Sequence, residues 1–167
     1  MYRGPSLSLG MTHLSAMTHF KAKDSDFERR VRASFDRQRF MTTIGARLEH
    51  VKPGDVAIAI PFRDDLVQQH GFLHAGVVTS VVDSACGYAA LTLMKPGVAV
   101  LSVEFKINLL APAAGSLFRA TGRVLRPGRT LTVCTGELVA MNGDEAGKPI
   151  AVMQATMMAV EGRDVAD

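Results

Sequence analysis

The sequence predicts an α+β fold in which an antiparallel sheet curls around one long buried helix. The first observation is the stretch from His70 to Met94, which is almost entirely small and apolar from Ala75 onward and long enough for about five helical turns. The second is a set of strand-like segments on both sides of it, two before and four after. The third is that short connections join consecutive strands, which favours antiparallel neighbours. A sheet of that size covers a single apolar helix by curling around it.

The central helix, predicted at about 74–94, carries a carboxylate in an apolar setting. Apolar residues occur on every side of it, which is typical of a helix enclosed by other structure. Lys95-Pro96-Gly97 supplies a helix stop, and Asp83 lies near the middle among valines, an alanine and a cysteine. Three interpretations are open: a membrane span, a structural helix whose Asp83 is hydrogen-bonded, and a helix with a functional carboxylate. The charge at the centre and the strands that follow argue against a membrane span, and the cost of an unpaired carboxylate favours the functional interpretation.

The N-terminal part divides into a tail and a helix. Residues 1–22 lack the apolar core of a secretory signal and are predicted to be a loose tail, with residues 23–167 forming a single domain. A helix is predicted at about 24–40, capped by Asp24 or Ser25, because Phe27, Val31 and Phe35 form an apolar stripe. Its arginines are interpreted as a solvated face: Arg29, Arg30, Arg32, Arg37 and Arg39.

The strands are bounded by turn-forming residues. Lys52-Pro53-Gly54 separates the first two strands, and Pro- or Gly-containing breaks separate the later ones. The predicted strands are Ala46–Val51, Asp55–Ile60, Ala99–Leu110, Ser116–Leu125, Thr130–Met141 and Ile150–Val160.

Composition narrows the class of protein. The chain has 167 residues, 47% hydrophobic and 21% charged, as in ordinary globular proteins. The net charge of +3 suits a polyanionic small ligand as well as nucleic acid, but no nucleic-acid motif accompanies it. Cys86 and Cys134 lie in apolar contexts, so we expect reduced buried thiols in a cytoplasmic protein and no metal cluster.

The distance along the helix bears on where chemistry could occur. The first N–H groups of a helix near His74, Ala75 and Gly76 have no intrahelical partners and can receive a developing oxyanion. Asp83 lies eight residues beyond Ala75, about 12 Å along the axis. Either Asp83 works without that helix start, or a second subunit brings its Asp83 there, as a two-fold dimer with antiparallel helices would do.

Three segments resemble one family in the same order. Gln68 to Gly76, followed by Asp83, resembles the signature of PaaI-type and 4-hydroxybenzoyl-CoA-type thioesterases. Ser102 to Pro112 resembles the strand after their helix, and Val124 to Leu131 resembles their next turn. The resemblance covers roughly residues 44–160. It implies the hotdog fold, which is the simplest form of the predicted arrangement, and an acyl-CoA thioesterase that releases a free acid and coenzyme A.

The resemblance also implies roles for individual residues. Asp83 matches the helix carboxylate, acting as nucleophile on the thioester carbonyl or as general base for water. Ala75 matches the position whose N–H polarises that carbonyl, and Gln68 the amide that helps to place the water or the carboxylate. His74 matches a histidine beside the thioester sulfur, and Ser102 a hydroxyl that orients water in some members.

Partners and cofactors follow from the same resemblance. Arg126 and Arg129 would face the coenzyme A phosphates. No metal or redox cofactor is implied, and the expected partner is a second copy, in a homodimer or a tetramer with shared sites. Each role has a structural alternative: a helix cap for His74, a loop amide for Gln68, an inward strand hydroxyl for Ser102, and plain turn charges for the arginines.

One departure from the family pattern keeps a second function open. Relatives usually carry Gly where Ala75 stands, and its methyl group crowds the approach to the N–H. A hotdog protein that binds acyl-CoA without cleaving it is therefore the alternative to the enzyme. An acyl-CoA hydratase or dehydratase would need a histidine paired with an acid in another arrangement, which the sequence does not show.

Overall fold

A six-stranded antiparallel sheet curls around one long helix in the computed structural model, which describes residues 20–162. The strand order is β1-β2-β4-β5-β6-β3, so β1 and β3 are the edges. The strands are β1 Arg47–Lys52, β2 Asp55–Pro61, β3 Ala99–Leu109, β4 Leu117–Arg126, β5 Leu131–Asn142 and β6 Glu145–Val160. The helices are α1 Phe27–Arg37, α2 Arg39–Thr43 and α3 Ala75–Leu91, with a short 3-10 turn at Asp64–Leu66. The predicted α+β class and arrangement are confirmed.

The predicted N-terminal helix is wrong in its extent. The helix expected at 24–40 stops at Arg37 and resumes as α2, because Gln38 leaves the helical region with φ −79° and ψ 87°. Asp26 stands at the N-cap, but its side chain makes no capping hydrogen bond to the helix backbone, while Asp24 Oδ1 accepts from the Asp26 N–H at 2.9 Å. Most of the predicted tail, residues 1–19, lies outside the described residues, and the single-domain assignment stays a prediction.

The interpretation of all five arginines as a solvated face is wrong for Arg30. Its side chain is 10% exposed and pairs with Asp24 at 3.1 Å. Its Nη2 donates to the carbonyls of Met94 at 2.9 Å and Leu91 at 3.3 Å, where α3 ends. The last carbonyls of a helix have no intrahelical donors, so Arg30 caps α3 from the neighbouring helix. Within residues 20–162 its Nη1 has no hydrogen-bond partner.

Two facing glycines let α3 lie close to the sheet. Gly122 of β4 is paired with Gly136 of β5 in the strand register. A Cβ on Gly122 would lie 2.3 Å from the Ala85 carbonyl group, and one on Gly136 would lie 2.5 Å from Val82 Cγ1. Both strands therefore need glycine where the middle of α3 crosses them.

The enclosure of α3 is uneven along its length. From Val81 to Leu91 every residue except Asp83 is buried, as the apolar pattern predicts. At the other end His74, Ala75 and Gly76 are exposed. In the described part of the chain no helix is long and apolar enough to cross a membrane.

Candidate active site

Asp83 lies on the side of α3 that faces β3. Its Oδ1 accepts a hydrogen bond from the Ser102 hydroxyl at 2.7 Å. Burial raises the pKa of Asp83 above its ordinary value, and the bond from Ser102 partly opposes the rise by stabilising the ionised form. The structure therefore brings together two of the predicted site residues and gives the carboxylate the raised pKa that its apolar neighbours predict.

A β-bulge in β3 aims Ser102 at the carboxylate. Ser102 is opposite Met157 of β6, whereas Glu104 is opposite Thr156, so Val103 is an extra residue on β3. The side chain of Met157 is fully buried, which places Ser102 on the same inner face of the sheet. The sequence pattern did not indicate this bulge.

A cavity of about 330 Å³ opens beside Asp83 and Ser102. Its far wall comes from the end of α1 and from the α3 turn after Asp83. Gly87 lies one turn beyond Asp83, and a Cβ there would meet nothing within 4 Å. The cavity is lined mainly by polar side chains that the sequence analysis did not assign to the site: Ser34, Arg37, Gln38, Ser84 and Tyr88.

The exposed start of α3, at His74 and Ala75, forms a corner that is separate from the cavity beside Asp83. The Nδ1 atom of His74 accepts from the Gly76 N–H at 2.9 Å, so the capping alternative for this histidine is observed. With Nδ1 as acceptor, the proton of a neutral ring lies on Nε2. Among residues 20–162 no acceptor is found for the N–H of Ala75. The corner therefore keeps an exposed backbone donor beside an exposed histidine.

Gln68 belongs to the turn that leads into α3. Its side-chain oxygen accepts from the His70 N–H, and its backbone N–H donates to the Phe72 carbonyl at 2.8 Å. His74 N–H in turn donates to the Leu66 carbonyl at 2.9 Å. These bonds tie the loop to the helix start, so the loop-amide role of Gln68 is observed.

Within one chain the carboxylate and the corner are separate. None of Gln68, His74 and Ala75 lines the cavity that contains Asp83 and Ser102. Asp83 and Ala75 lie on the same unbroken helix, about 12 Å apart along its axis.

The two arginines predicted for coenzyme A lie at the far end of α3. Arg129 lines a cavity of about 210 Å³ together with Lys23 and Lys95. Arg126 ends β4 just before the same turn and is exposed, but it does not line that cavity. The three cations gathered around this cavity are partly offset by Glu161.

The cysteines take no part in this site. Cys86 and Cys134 are buried free thiols, and burial raises the pKa of Cys134 to about 12 and that of Cys86 further. Within residues 20–162 no cluster of histidine, cysteine or acidic side chains could hold a metal ion.

Comparisons with known proteins point to one family. The family model described as "Thioesterase superfamily" matches residues 70–147. A thioesterase family protein from Silicibacter pomeroyi is 51% identical, with a TM-score of 0.78 over 81% of this chain and 99% of that one. The PaaI protein of E. coli, from the phenylacetic acid degradation operon, has a TM-score of 0.72 at 18% identity over 82% of this chain and 95% of its own.

A relative from Saccharolobus solfataricus, named provisionally as an esterase, is 30% identical over 107 residues, or 64% of this chain and 76% of its own. The likeness to PaaI shows the fold alone, whereas the other two relatives also share sequence with this chain. The protein therefore belongs to the thioesterase superfamily and is a thioester hydrolase of the hotdog fold.

Proposed function

We propose that the protein is an acyl-CoA thioesterase that hydrolyses its substrate to a free acid and coenzyme A. The observation that carries the proposal is the partly buried Asp83, hydrogen-bonded to Ser102 beside a cavity. A carboxylate with a raised pKa in a cleft is suited to take a proton from water or to attack a carbonyl. No metal or redox cofactor has a part in the proposed reaction.

Each active site would be shared between two copies of the chain. The exposed corner at Ala75 offers an N–H donor, and Asp83 of the same chain lies too far along the helix to act on a group held there. A two-fold dimer would place the corner of one subunit at the Asp83 of the other, and would create two equivalent sites.

Strand β3 provides a surface for that pairing. It is an edge strand of eleven residues, so one side of its backbone has no neighbouring strand in the sheet. Large apolar side chains along it and just beyond it are about half exposed: Leu101, Val103, Phe105, Leu109 and Leu110. Pairing of two β3 strands would cover these side chains and bring the two α3 helices side by side.

The proposed reaction divides the work between the two subunits. Ionised Asp83 takes a proton from a water molecule that Ser102 helps to orient, and the water oxygen adds to the thioester carbonyl carbon. The partner's Ala75 N–H stabilises the negative charge that develops on the carbonyl oxygen. When the C–S bond breaks, the electron pair stays on sulfur, and the coenzyme A thiolate takes up the proton that Asp83 removed from water, which returns Asp83 to its ionised form. The Nε2–H of the partner's His74 can donate a hydrogen bond to the sulfur as its negative charge develops. Direct attack by Asp83 would give an anhydride that water then cleaves.

The coenzyme A end of the substrate would be held by positive charge. Arg126, Arg129 and Lys95 lie around the turn at the C-terminal end of α3. Cations clustered at one end of the helix suit the phosphates of a nucleotide, which carry several negative charges.

Substitution of Asp83 by Asn tests the proposal. We expect Asp83→Asn to lower kcat for acyl-CoA hydrolysis by about 100-fold or more, because the amide cannot accept the proton. Release of thiol from a panel of acyl-CoA substrates measures the rate. The matched control is Asp144→Asn on the exposed β5–β6 turn, which should retain the native rate.

Two results would contradict the proposal. One is a folded Asp83→Asn variant that hydrolyses acyl-CoA at the native rate. The other is a native protein that binds acyl-CoA in calorimetry and releases no thiol, which is the behaviour of the non-catalytic alternative.

A further inference from the structure

Gln38 connects the N-terminal helices to the catalytic helix. It stands at the break between α1 and α2, where its backbone conformation is no longer helical. Its side-chain oxygen accepts from the Tyr88 hydroxyl at 3.1 Å, and its side-chain nitrogen donates to Ser84 Oγ at 3.4 Å. Ser84 follows Asp83 directly, so these contacts fix the Gln38 amide within the wall of the cavity beside the carboxylate.

After these contacts are made, hydrogen-bond donors remain unused on the side chains of Gln38 and Ser84. The amide nitrogen of Gln38 carries two hydrogens, and the bond to Ser84 uses one of them. The hydroxyl of Ser84 accepts that bond, and within residues 20–162 no acceptor is found for its own hydrogen. An acceptor oxygen on a bound molecule could therefore receive hydrogen bonds from both side chains. A buried donor that stays unpaired is costly, so a ligand that lacks such an oxygen binds less well.

The size of the cavity limits what it can hold. At about 330 Å³ it lies at the lower end of the range for small-molecule sites. The cavity suits a short acyl group with a polar end better than a long alkyl chain.

Gln38 and Ser84 come from different parts of the chain. The family model matches residues 70–147, and Gln38 lies outside that range. The cavity wall thus combines a residue of the N-terminal segment with residues of α3, the helix that carries Asp83.

We propose that Gln38 is a specificity-determining residue which, with Ser84, donates hydrogen bonds to an oxygen on the acyl group. The preferred substrates are short acyl-CoA thioesters with an acceptor oxygen beyond the thioester, such as a hydroxyl group. This inference rests on the proposed function, because it requires the acyl group to lie beside Asp83 during hydrolysis.

Matched pairs of substrates test the inference. Each pair consists of a short straight-chain acyl-CoA and its ω-hydroxy counterpart, and a long-chain acyl-CoA completes the panel. We expect the native enzyme to favour the hydroxy members by about tenfold in kcat/KM, as loss of one hydrogen bond in a substrate pocket implies. Gln38→Met keeps the length of the side chain and removes its donors, so it should lower kcat/KM about tenfold for the hydroxy members and change the unsubstituted members by less than about twofold.

Two further variants keep the test decisive. Ser84→Ala removes the second donor and should narrow the same preference, even if Gln38→Met fails to fold. Gln154→Met is the matched control, because Gln154 is exposed on the outer face of β6, and its preference should equal that of the native enzyme.

The outcomes separate the inference from the proposed function. If hydrolysis depends on Asp83 but the native enzyme does not discriminate within the pairs, or prefers the long chain, the inference is overturned and the proposed function stands. An equal loss for both members of a pair in Gln38→Met and in Ser84→Ala also overturns it. If no acyl-CoA is hydrolysed, both are overturned.

Discussion

The surroundings of Asp83 favour its neutral form, whereas the proposed reaction needs its ionised form. Burial disfavours the carboxylate, and the Ser102 hydroxyl recovers part of the loss by donating to Oδ1. Because the folded pKa is raised, the folded protein binds more protons than the unfolded chain between the ordinary and the raised value. The free energy of unfolding contributed by Asp83 therefore falls as pH rises through that window. This loss of stability accompanies a catalytic advantage, because a carboxylate with a pKa nearer to neutrality is a stronger general base.

The pH dependence of hydrolysis should report this balance. We expect kcat/KM to fall at acidic pH as Asp83 becomes protonated, with a midpoint above the ordinary value of 3.8. Ser102→Ala should move that midpoint to higher pH, because it removes the bond that favours the ionised form. Rate profiles across the acidic range measure both midpoints.

The control for this shift is another hydroxyl bound to a carboxylate. Thr156 donates to Glu104 at 3.2 Å, and Thr156→Ala should leave the acidic midpoint unchanged. A native midpoint at or below 3.8, or one that does not rise in Ser102→Ala, would contradict the role given to Asp83.

At the level of single residues, a functional side chain could be predicted where its polarity differs from that of its sequence neighbours. A carboxylate in an apolar helix is conspicuous, so Asp83 could be found, and the resemblance led to Ser102. Gln38 and Arg30 could not be found in this way, since polar residues on an amphipathic helix look solvated. Their contacts with α3 span 46 to 64 positions of sequence and exist only once the chain has folded.

The packing of α3 against β4 and β5 depends on small groups at the crossing. Gly122 and Gly136 face each other, so the helix backbone approaches the sheet at one level on both strands. At Gly136 a Cβ would meet the side chains of the buried Val82 and Cys86. At Gly122 it would meet main-chain atoms of Ala85 and Cys86, which cannot move without shifting α3. Asp83 lies two residues before Ala85, so a shift here reaches the site.

Substitution of Gly122 tests whether the backbone of α3 lies as close to β4 as the structure shows. Gly122→Ala is expected to destabilise the fold by about 3 kcal/mol, because overpacking against backbone cannot be relieved by a rotamer change. Chemical denaturation measures the free energy of unfolding. Gly87→Ala is the matched control, since its Cβ would enter open space within a helix and should be neutral or stabilising by up to about 1 kcal/mol.

An equal stability for Gly122→Ala and the native protein would contradict the close approach of α3 to β4.

Most elements could be predicted because each has a local pattern. Helix α3 starts one residue after its predicted start and ends at Leu91, three residues before its predicted end at Met94. The predicted strands agree to within one residue at each end, except that β6 begins at Glu145 rather than Ile150. Residues Glu145 to Lys148 are mostly polar, and pairing with β5 holds them in the sheet despite that composition. The break at Gln38 and the bulge at Val103 were missed, because tertiary contacts rather than turn-forming residues produce them.

On the whole molecule, the exposed apolar side chains concentrate at one edge of the sheet. The strands at the other side of the sheet carry several ion pairs on exposed or half-buried side chains: Arg119–Glu49, Arg123–Asp55 and Arg123–Glu137. Of the eight large apolar side chains that are exposed among residues 20–162, five lie on β3 or directly after it, beside the exposed Glu104 and Lys106. An interface between copies is therefore expected at β3. The sequence could suggest a dimer from the helix length alone, but it could not show which edge stays apolar.

Mixed subunits should test whether the sites are shared. Ala75→Pro removes the N–H at the first position of α3, where proline is tolerated, and His74 already has the extended conformation preferred before proline, with φ −61° and ψ 138°. We expect Ala75→Pro to fold and to lose about 100-fold or more in kcat. When Ala75→Pro and Asp83→Asn subunits are exchanged in equal amounts, roughly a quarter of native activity should return, since half of the dimers are hybrids with one intact site of two.

Subunit exchange is verified by giving the two variants different tags and recovering the hybrid. A recovered hybrid with no more activity than its two parents would show that Asp83 and Ala75 do not act across subunits. A native enzyme that is active as a monomer would show the same.

The bulge at Val103 allows β3 to direct both Ser102 and the apolar side chains of its second half to the same face, which strict alternation would prevent. An uninterrupted β3 with Ser102 turned toward α3 would also turn Glu104 and Lys106 toward it. With the interruption, the second half of the strand directs Phe105, Ile107 and Leu109 to the same side as Ser102, opposite the buried Ala155, Met153 and Ala151. The hydroxyl that bonds Asp83 and the apolar side chains of the second half of β3 thus share one face of the strand, and deletion of Val103 would remove the bulge while keeping Ser102 and Phe105 on that face.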